Sequence, residues 1–206
     1  MGADLPKQFL HAGGKPLLLH TLERFHAFDA AAQILVTLPA DWHNYWKDLL
    51  GDFECNISHE LIEGGQERFH SIQRALAHST GEVVFIHDAV RPLVSEQTLK
   101  RCTEALETHG SAVPVLPIKE SVRQLTNGGS QALRRDQLRI VQTPQCFRME
   151  ILKVAYQLPY HEGITDDASL VEEAGFSVHL IKGNEENIKV TTQQDLNWVD
   201  YLLRTE

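Results

Sequence analysis

Cysteine is scarce in this chain. Cys55, Cys102 and Cys146 are widely spaced and form no Cys-x-x-Cys. An odd, scattered set excludes a disulfide scaffold and a zinc site and points to a reducing compartment, so a cytoplasmic protein is expected. Long apolar runs are missing as well. None approaches the ~20 residues of a membrane span, and the opening Met-Gly-Ala-Asp-Leu-Pro-Lys has no charged-then-apolar leader pattern, so no membrane partner is expected. Positive charge is in deficit: a formal net charge of −9 argues against a nucleic-acid binder, and an anionic ligand has to be met by a local cluster of Lys and Arg. The 11 histidines include no His-x-x-x-His and no Cys/His cluster at metal-ligand spacing. Repeats, linkers and low-complexity tracts are absent too. The 206 residues are expected to form one domain, long enough to bury a proper core.

What the chain has instead is an alternation of helical and β-rich segments. Pro16 opens a helix with Leu18, Leu22 and Phe25 on one face. A strand over 34–38 ends at Pro39, and a helix over 42–50 follows with Asp41 as a possible cap. Strand 57–63, a Gly64-Gly65 turn and helix 68–77 come next, then strand 83–86 and helix 96–108. Segment 112–117 reads as extended, and its prolines place it at a sheet edge. Later segments give strand 140–143, helices 149–157 and 167–174, strand 178–181, a strand-like 187–190, and a last helix capped by Thr192. The pattern is that of an α/β fold with a doubly wound, mostly parallel sheet. Between residues 118 and 138 the character changes to charged residues around Asn127-Gly128-Gly129, which reads as a two-stranded arm. Such a hairpin is marginal alone, so it is expected to pack on a second copy of the chain, making a homodimer.

Segment 82–92 carries the first chemical signal. Val83–Ile86 is an unbroken apolar run, the pattern of a strand covered on both faces, and it ends abruptly in His87, Asp88 and Arg91. Ligands of open α/β sheets bind beyond such carboxyl ends. A carboxylate there suits a cation or a hydroxyl and an arginine suits a phosphate, while a plain turn with Asp88 as a cap fits the same residues.

Six motifs in order resemble the 2-C-methyl-D-erythritol 4-phosphate cytidylyltransferase family. They are Pro6-Lys7-Gln8-Phe9, Gly64-Gly65 with Arg68 and Ser71, His87-Asp88-Ala89-Val90-Arg91-Pro92, Gln142-Thr143-Pro144-Gln145, Thr165-Asp166-Asp167-Ala168-Ser169 and Asn187-Ile188-Lys189-Val190-Thr191. The resemblance implies a Rossmann-like nucleotidyltransferase fold with a protruding β-arm, CTP and a polyol phosphate as substrates, Mg²⁺ as cofactor, and a homodimer whose arms complete each other's sites. It assigns Lys7 to the α-phosphate in the transition state, and Arg135 and Lys189 to orienting the substrate phosphate. Thr143, Thr165 and, from the arm, Ser121 would contact the polyol. Gly64, Gly65, Gln66 and Ser71 would shape the nucleotide site, with Lys15 on the triphosphate and Asp88 on the ligands or their Mg²⁺. Arg68 and Arg91 serve equally well as structural partners of carboxylates. The sequence departs from the family at Gln66, where many relatives carry an acid, and at Ser121, where a threonine is usual. The family's first strand and most of its glycine-rich loop have no counterpart here, so a sheet with a gap in its middle and a natural polypeptide about 20 residues longer are expected. Rival readings are a ribitol 5-phosphate cytidylyltransferase and a catalytically silent nucleotide-binding module.

Overall fold

The structure, a computed structural model, describes residues 5–205; residues 1–4, including the Met-Gly that matched the end of the family's loop, lie outside the described residues. A 3-10 turn at Lys7–Phe9 drives Phe9 into the core, with its ring centroid 5.4, 5.1 and 6.3 Å from those of Trp42, Tyr45 and Trp46. Burying a side chain of this size contributes roughly 1.5–3 kcal/mol, enough to fix the path of the turn that carries Lys7. A small hairpin follows, β1 (His11–Ala12) with β2 (Lys15–Pro16). Pro16 closes β2 instead of opening the helix, and α1 (Leu17–Phe28) starts after it with Leu18 and Leu22 buried.

The next elements are β3 (Leu35–Leu38), α2 (His43–Asp52), β4 (Glu60–Glu63) and α3 (Arg68–His78), with β3 and β4 paired in parallel. Asp41 does not cap α2: it lies in a 3-10 turn that feeds the helix, and no side chain caps that end. Then come β5 (Val83–Ile86), α4 (Glu96–His109) and β6 (Ser111–Pro117). Ser95 caps α4 by accepting from the Thr98 amide, and Gly110, at φ +72°, ends it in the left-handed conformation glycine tolerates. The arm is the hairpin of β7 (Val122–Thr126) and β8 (Gly129–Leu133), exposed along nearly its whole length. The remainder is β9 (Arg139–Val141), β10 (Gln145–Arg148), α5 (Met149–Ala155), α6 (Asp167–Glu173), β11 (Leu180–Lys182) and α7 (Gln193–Thr205). Thr192 caps α7 as expected: its Oγ1 accepts from the Asp195 amide at 3.2 Å while Asp195 accepts from the Thr192 amide at 2.7 Å.

The main sheet runs in the order β11–β6–β10–β5, with β9 also on β6. Strands β5, β6 and β11 share one direction, and the segment containing β9 and β10 runs against them, so the sheet is mixed where a mostly parallel one was expected. Three local expectations fail. Strand β6 lies centrally, flanked by β11 on one side and by β9 and β10 on the other. Val113 and Val115 bond toward the β11 side, whereas the Pro114 carbonyl accepts from the Gln142 amide at 2.8 Å. The missing N–H of Pro114 therefore faces the break between β9 and β10, where no ladder bond is needed. Residues 187–190 form no strand, although the Val190 amide still donates to the Val90 carbonyl at 3.0 Å. And β5 is not covered on both faces, since Val83 is 49% exposed and only Ile86 is buried. It has β10 on one edge only, and among the described residues no strand stands between β3 and β5.

Candidate active site

At the carboxyl end of β5 the chain turns through His87, Asp88 and Arg91, and the Arg91 amide donates to the Asp88 carbonyl at 3.0 Å. The Asp88 carboxylate, mostly buried, meets three cations: Arg91 Nε at 3.1 Å, Lys189 Nζ at 3.2 Å and Arg68 Nε at 3.7 Å. Burial pushes its pKa up, but Lys189, Arg68 and Arg91 together outweigh burial and hold the carboxyl below its ordinary range. Lys189 and Arg68 keep 47% and 36% of their side chains exposed, so two of the three cations remain accessible to a ligand.

A directed hydrogen-bond chain holds the turn. His87 Nε2 lies 2.9 Å from the Arg91 carbonyl, which only accepts, so that nitrogen carries the proton and Nδ1 accepts from the Thr143 hydroxyl at 3.0 Å. Thr143 Oγ1 in turn accepts from the Asp88 amide at 3.1 Å. Its proton is committed, and it faces a ligand as an acceptor only. Burial pushes the imidazole pKa down to about 4 from an ordinary 6.5, with the bond to the Arg91 carbonyl opposing. Between these values the unfolded chain binds more protons than the folded one. Stability from this group is therefore complete above about pH 6.5 and is lost as pH falls toward 4. Thermal melts across this range should show a His87→Asn variant less stable at pH 7 but with a shallower acid slope; an unchanged slope would remove His87 from this role.

Behind the turn, Asn187 Nδ2 donates to the Thr143 carbonyl at 2.7 Å, and the Asn187 carbonyl receives Arg91 Nη1 at 2.8 Å and Gln142 Nε2 at 3.1 Å. These bonds fix the segment that delivers Lys189. On the opposite wall, Gln145 donates to Asp166 at 2.8 Å and accepts from the Ala168 amide at 2.8 Å, aligning the start of α6 beside Thr165.

The walls enclose a cleft of about 170 Å³. It brings together Asp88, Thr143, Thr165 and Lys189 from the expected set and adds Arg68, Arg91, Gln145 and Asp166. Lys7, Lys15, Ser121 and Arg135 do not line it. Lys7 is exposed on its 3-10 turn, Lys15 pairs with Glu23 at 2.6 Å, and Ser121 and Arg135 sit at the base of the arm, where Arg135 donates to the Lys119 carbonyl. Gly64, Gly65, Gln66 and Ser71 form a separate turn at the amino end of α3. There Ser71 Oγ accepts from the Gly65 amide at 2.9 Å and Arg74 donates to the Gly64 carbonyl at 3.0 Å. A Cβ on Gly65 would stand 2.3 Å from His70 Cβ and 2.9 Å from the His70 carbonyl carbon, so this turn admits only glycine.

Asp88 does not fit the role of metal ligand. Its charge is already met by three cations, and among the described residues no group of three or more His, Cys, Asp or Glu is arranged to hold a metal ion. Nor is any helix among these residues long and apolar enough to cross a membrane.

A layered α/β body, a cationic cleft at the carboxyl end of a strand and a glycine turn opening a helix define a Rossmann-like nucleotidyltransferase. The family model described as 2-C-methyl-D-erythritol 4-phosphate cytidylyltransferase matches residues 1–205, and the chain belongs to that family. A protein of that name from Phocaeicola vulgatus is 46% identical over 204 residues, covering 98% of this chain and 93% of the relative. Its namesake from Bacteroides thetaiotaomicron is 46% identical over 198 residues, 95% of this chain and 90% of that one. Among solved structures, the Thermus thermophilus enzyme of the same name superposes with a TM-score of 0.82 at 33% identity, over 97% of this chain and 94% of that one.

Proposed function

We infer that the chain transfers CMP from CTP to 2-C-methyl-D-erythritol 4-phosphate, releasing pyrophosphate, in non-mevalonate isoprenoid biosynthesis. The observation that carries this reading is the convergence of Arg68, Arg91 and Lys189 on one carboxylate in a cleft that also presents Thr143 and Thr165. A phosphate oxygen of the polyol attacks the α-phosphorus of CTP, the new P–O bond forms as the bond to the bridging oxygen breaks, and pyrophosphate departs. Both reactants are anions, so the protein's contribution is to overcome their repulsion and hold them in line.

In this scheme Lys189 turns from Asp88 to the polyol phosphate, Thr143 accepts from a polyol hydroxyl, and Thr165 and Asp88 take the others. Gly64, Gly65, Gln66 and Ser71 receive the nucleotide. Lys7 serves the α-phosphate and Lys15 the triphosphate. Arg135 and Ser121 lie outside their own chain's cleft at the base of an exposed hairpin, which supports a homodimer in which the arm of a second copy completes each site. A Mg²⁺ accompanying CTP belongs to the proposal, and because the described side chains build no cage for it, its ligands would be phosphate oxygens and water. Free thiols at Cys55, Cys102 and Cys146 support a cytoplasmic setting.

Purified protein given CTP and 2-C-methyl-D-erythritol 4-phosphate should release pyrophosphate, with ribitol 5-phosphate turned over about tenfold less efficiently or worse. Preference for ribitol 5-phosphate would replace the substrate. No release with either polyol phosphate would leave a silent nucleotide-binding module.

A further inference from the structure

Asp167 is a fully buried carboxylate at the start of α6. A buried charge is costly unless each oxygen is met, and here each is: Oδ2 accepts from Arg68 Nη2 at 2.6 Å and Oδ1 from the Tyr156 hydroxyl at 2.6 Å. Burial and the neighbouring Asp167 push the Tyr156 hydroxyl pKa far up, so it stays a donor. Tyr156 is itself locked. Its ring stacks on Phe69 at 4.9 Å, and its carbonyl accepts from Gln73 at 3.0 Å, both on α3. Arg68 stands at the first position of that helix and lines the cleft.

The bond to Asp167 uses one of the five N–H groups of the guanidinium, and Nε lies 3.7 Å from Asp88, beyond hydrogen-bond reach. We propose that Arg68 is a contact to the polyol phosphate and that Tyr156 and Asp167 are its positioning residues, a buried clamp that aims the free edge of the fork into the cleft. The inference rests on the substrate reading above. A planar fork held on one side and open on the other is suited to an oxyanion, and a lysine, with one nitrogen, cannot serve both sides. The clamp also joins α3, which carries the glycine turn, to α6, which follows Thr165, so it ties the two halves of the site together.

Steady-state kinetics with both substrates test this. Tyr156→Phe should raise KM for the polyol phosphate about tenfold, the scale of one hydrogen bond to a charged group, while KM for CTP stays within about twofold. Arg68→Lys should raise it as much or more, and the double variant should be no worse than Arg68→Lys alone, because the clamp acts only through the guanidinium. Independent multiplying effects, or a Tyr156→Phe variant that loses thermal stability with both KM values unchanged, would overturn the proposal. Should the wild-type chain show no turnover, the substrate reading fails by itself; calorimetric titration of wild type and Tyr156→Phe with the polyol phosphate then decides the clamp, equal affinities sinking it and a tenfold weakening supporting it.

Discussion

Replacing Lys189 by alanine should lower kcat/KM by about 10²–10³, the scale on which one positioned charge stabilises an anionic transition state. Lys189 is the most exposed member of the cationic trio, with 47% of its side chain accessible against 36% for Arg68 and 12% for Arg91. Arg68 is tied to buried Asp167, and Arg91 to the Asn187 carbonyl. Lys189 has the salt bridge to Asp88 and can exchange it for a ligand. Lys189→Arg should recover part of the loss, since it restores charge with a different reach.

The same substitution has a consequence in pH. Burial pushes the Asp88 pKa up, and Lys189 is the largest of the influences that bring it down. Without Lys189 the Asp88 carboxyl protonates at higher pH, so the acid limb of the rate profile should move up. Asp88 then loses its ionised-state contribution to stability earlier as pH falls, because a depressed carboxylate stabilises the fold only above its folded pKa. A Lys189→Ala variant with wild-type kcat/KM and an unmoved acid limb would show that Lys189 only screens Asp88 and takes no part in the reaction.

How far the sequence disclosed this site depended on how local each signal was. The end of the 83–86 run pointed to Asp88, and the motifs around Thr143, Thr165 and Lys189 pointed to three more residues that line the cleft. The arm was legible from its charge and its Asn-Gly-Gly turn, and the structure forms it as β7 and β8. Strand β6 sits centrally despite its prolines because Pro114 faces the break between β9 and β10, a long-range fact that no local proline pattern carries. Strand β10 is four residues long, too short to carry a periodic signal of its own, and it reverses the direction of one segment of the sheet. The clamp on Arg68 was invisible for a different reason. Arg68 and Asp167 lie 99 positions apart, and no local pattern distinguishes a carboxylate that caps a helix, as Asp166 does, from its neighbour buried beneath it. Lys7 and Arg135 stand away from the cleft, so the roles proposed for them rest on the motif match.

Gly183→Ala should be strongly disruptive, although neither its backbone nor its motif advertises it. Its φ lies outside the left-handed range, so alanine meets no conformational penalty; the conflict is one of space. A Cβ there would stand 2.1 Å from Gln142 Oε1 and 3.1 Å from Gln142 Cδ. Gly183 has little freedom to retreat, because its amide donates to the Val115 carbonyl at 3.1 Å. Gln142 has little more: it is 3% exposed, and its Nε2 donates to the Asn184 carbonyl at 2.9 Å and the Asn187 carbonyl at 3.1 Å. Its Oε1 has no hydrogen-bond partner and lies where the side chain of residue 183 would be, so the amide fits only against glycine. Moving it breaks both donor bonds and loosens the Asn187 carbonyl that also holds Arg91. The expected cost is roughly 2–4 kcal/mol of stability, or on the order of 5–10 °C in melting temperature, with a fall in kcat/KM as the Lys189 segment loses its anchor. A double-mutant cycle identifies the cause. In a Gln142→Ala background the clashing amide is gone, so Gly183→Ala should add little further loss; an equal loss in both backgrounds would place the conflict elsewhere, with Pro114 Cβ at 3.5 Å the next atom in line.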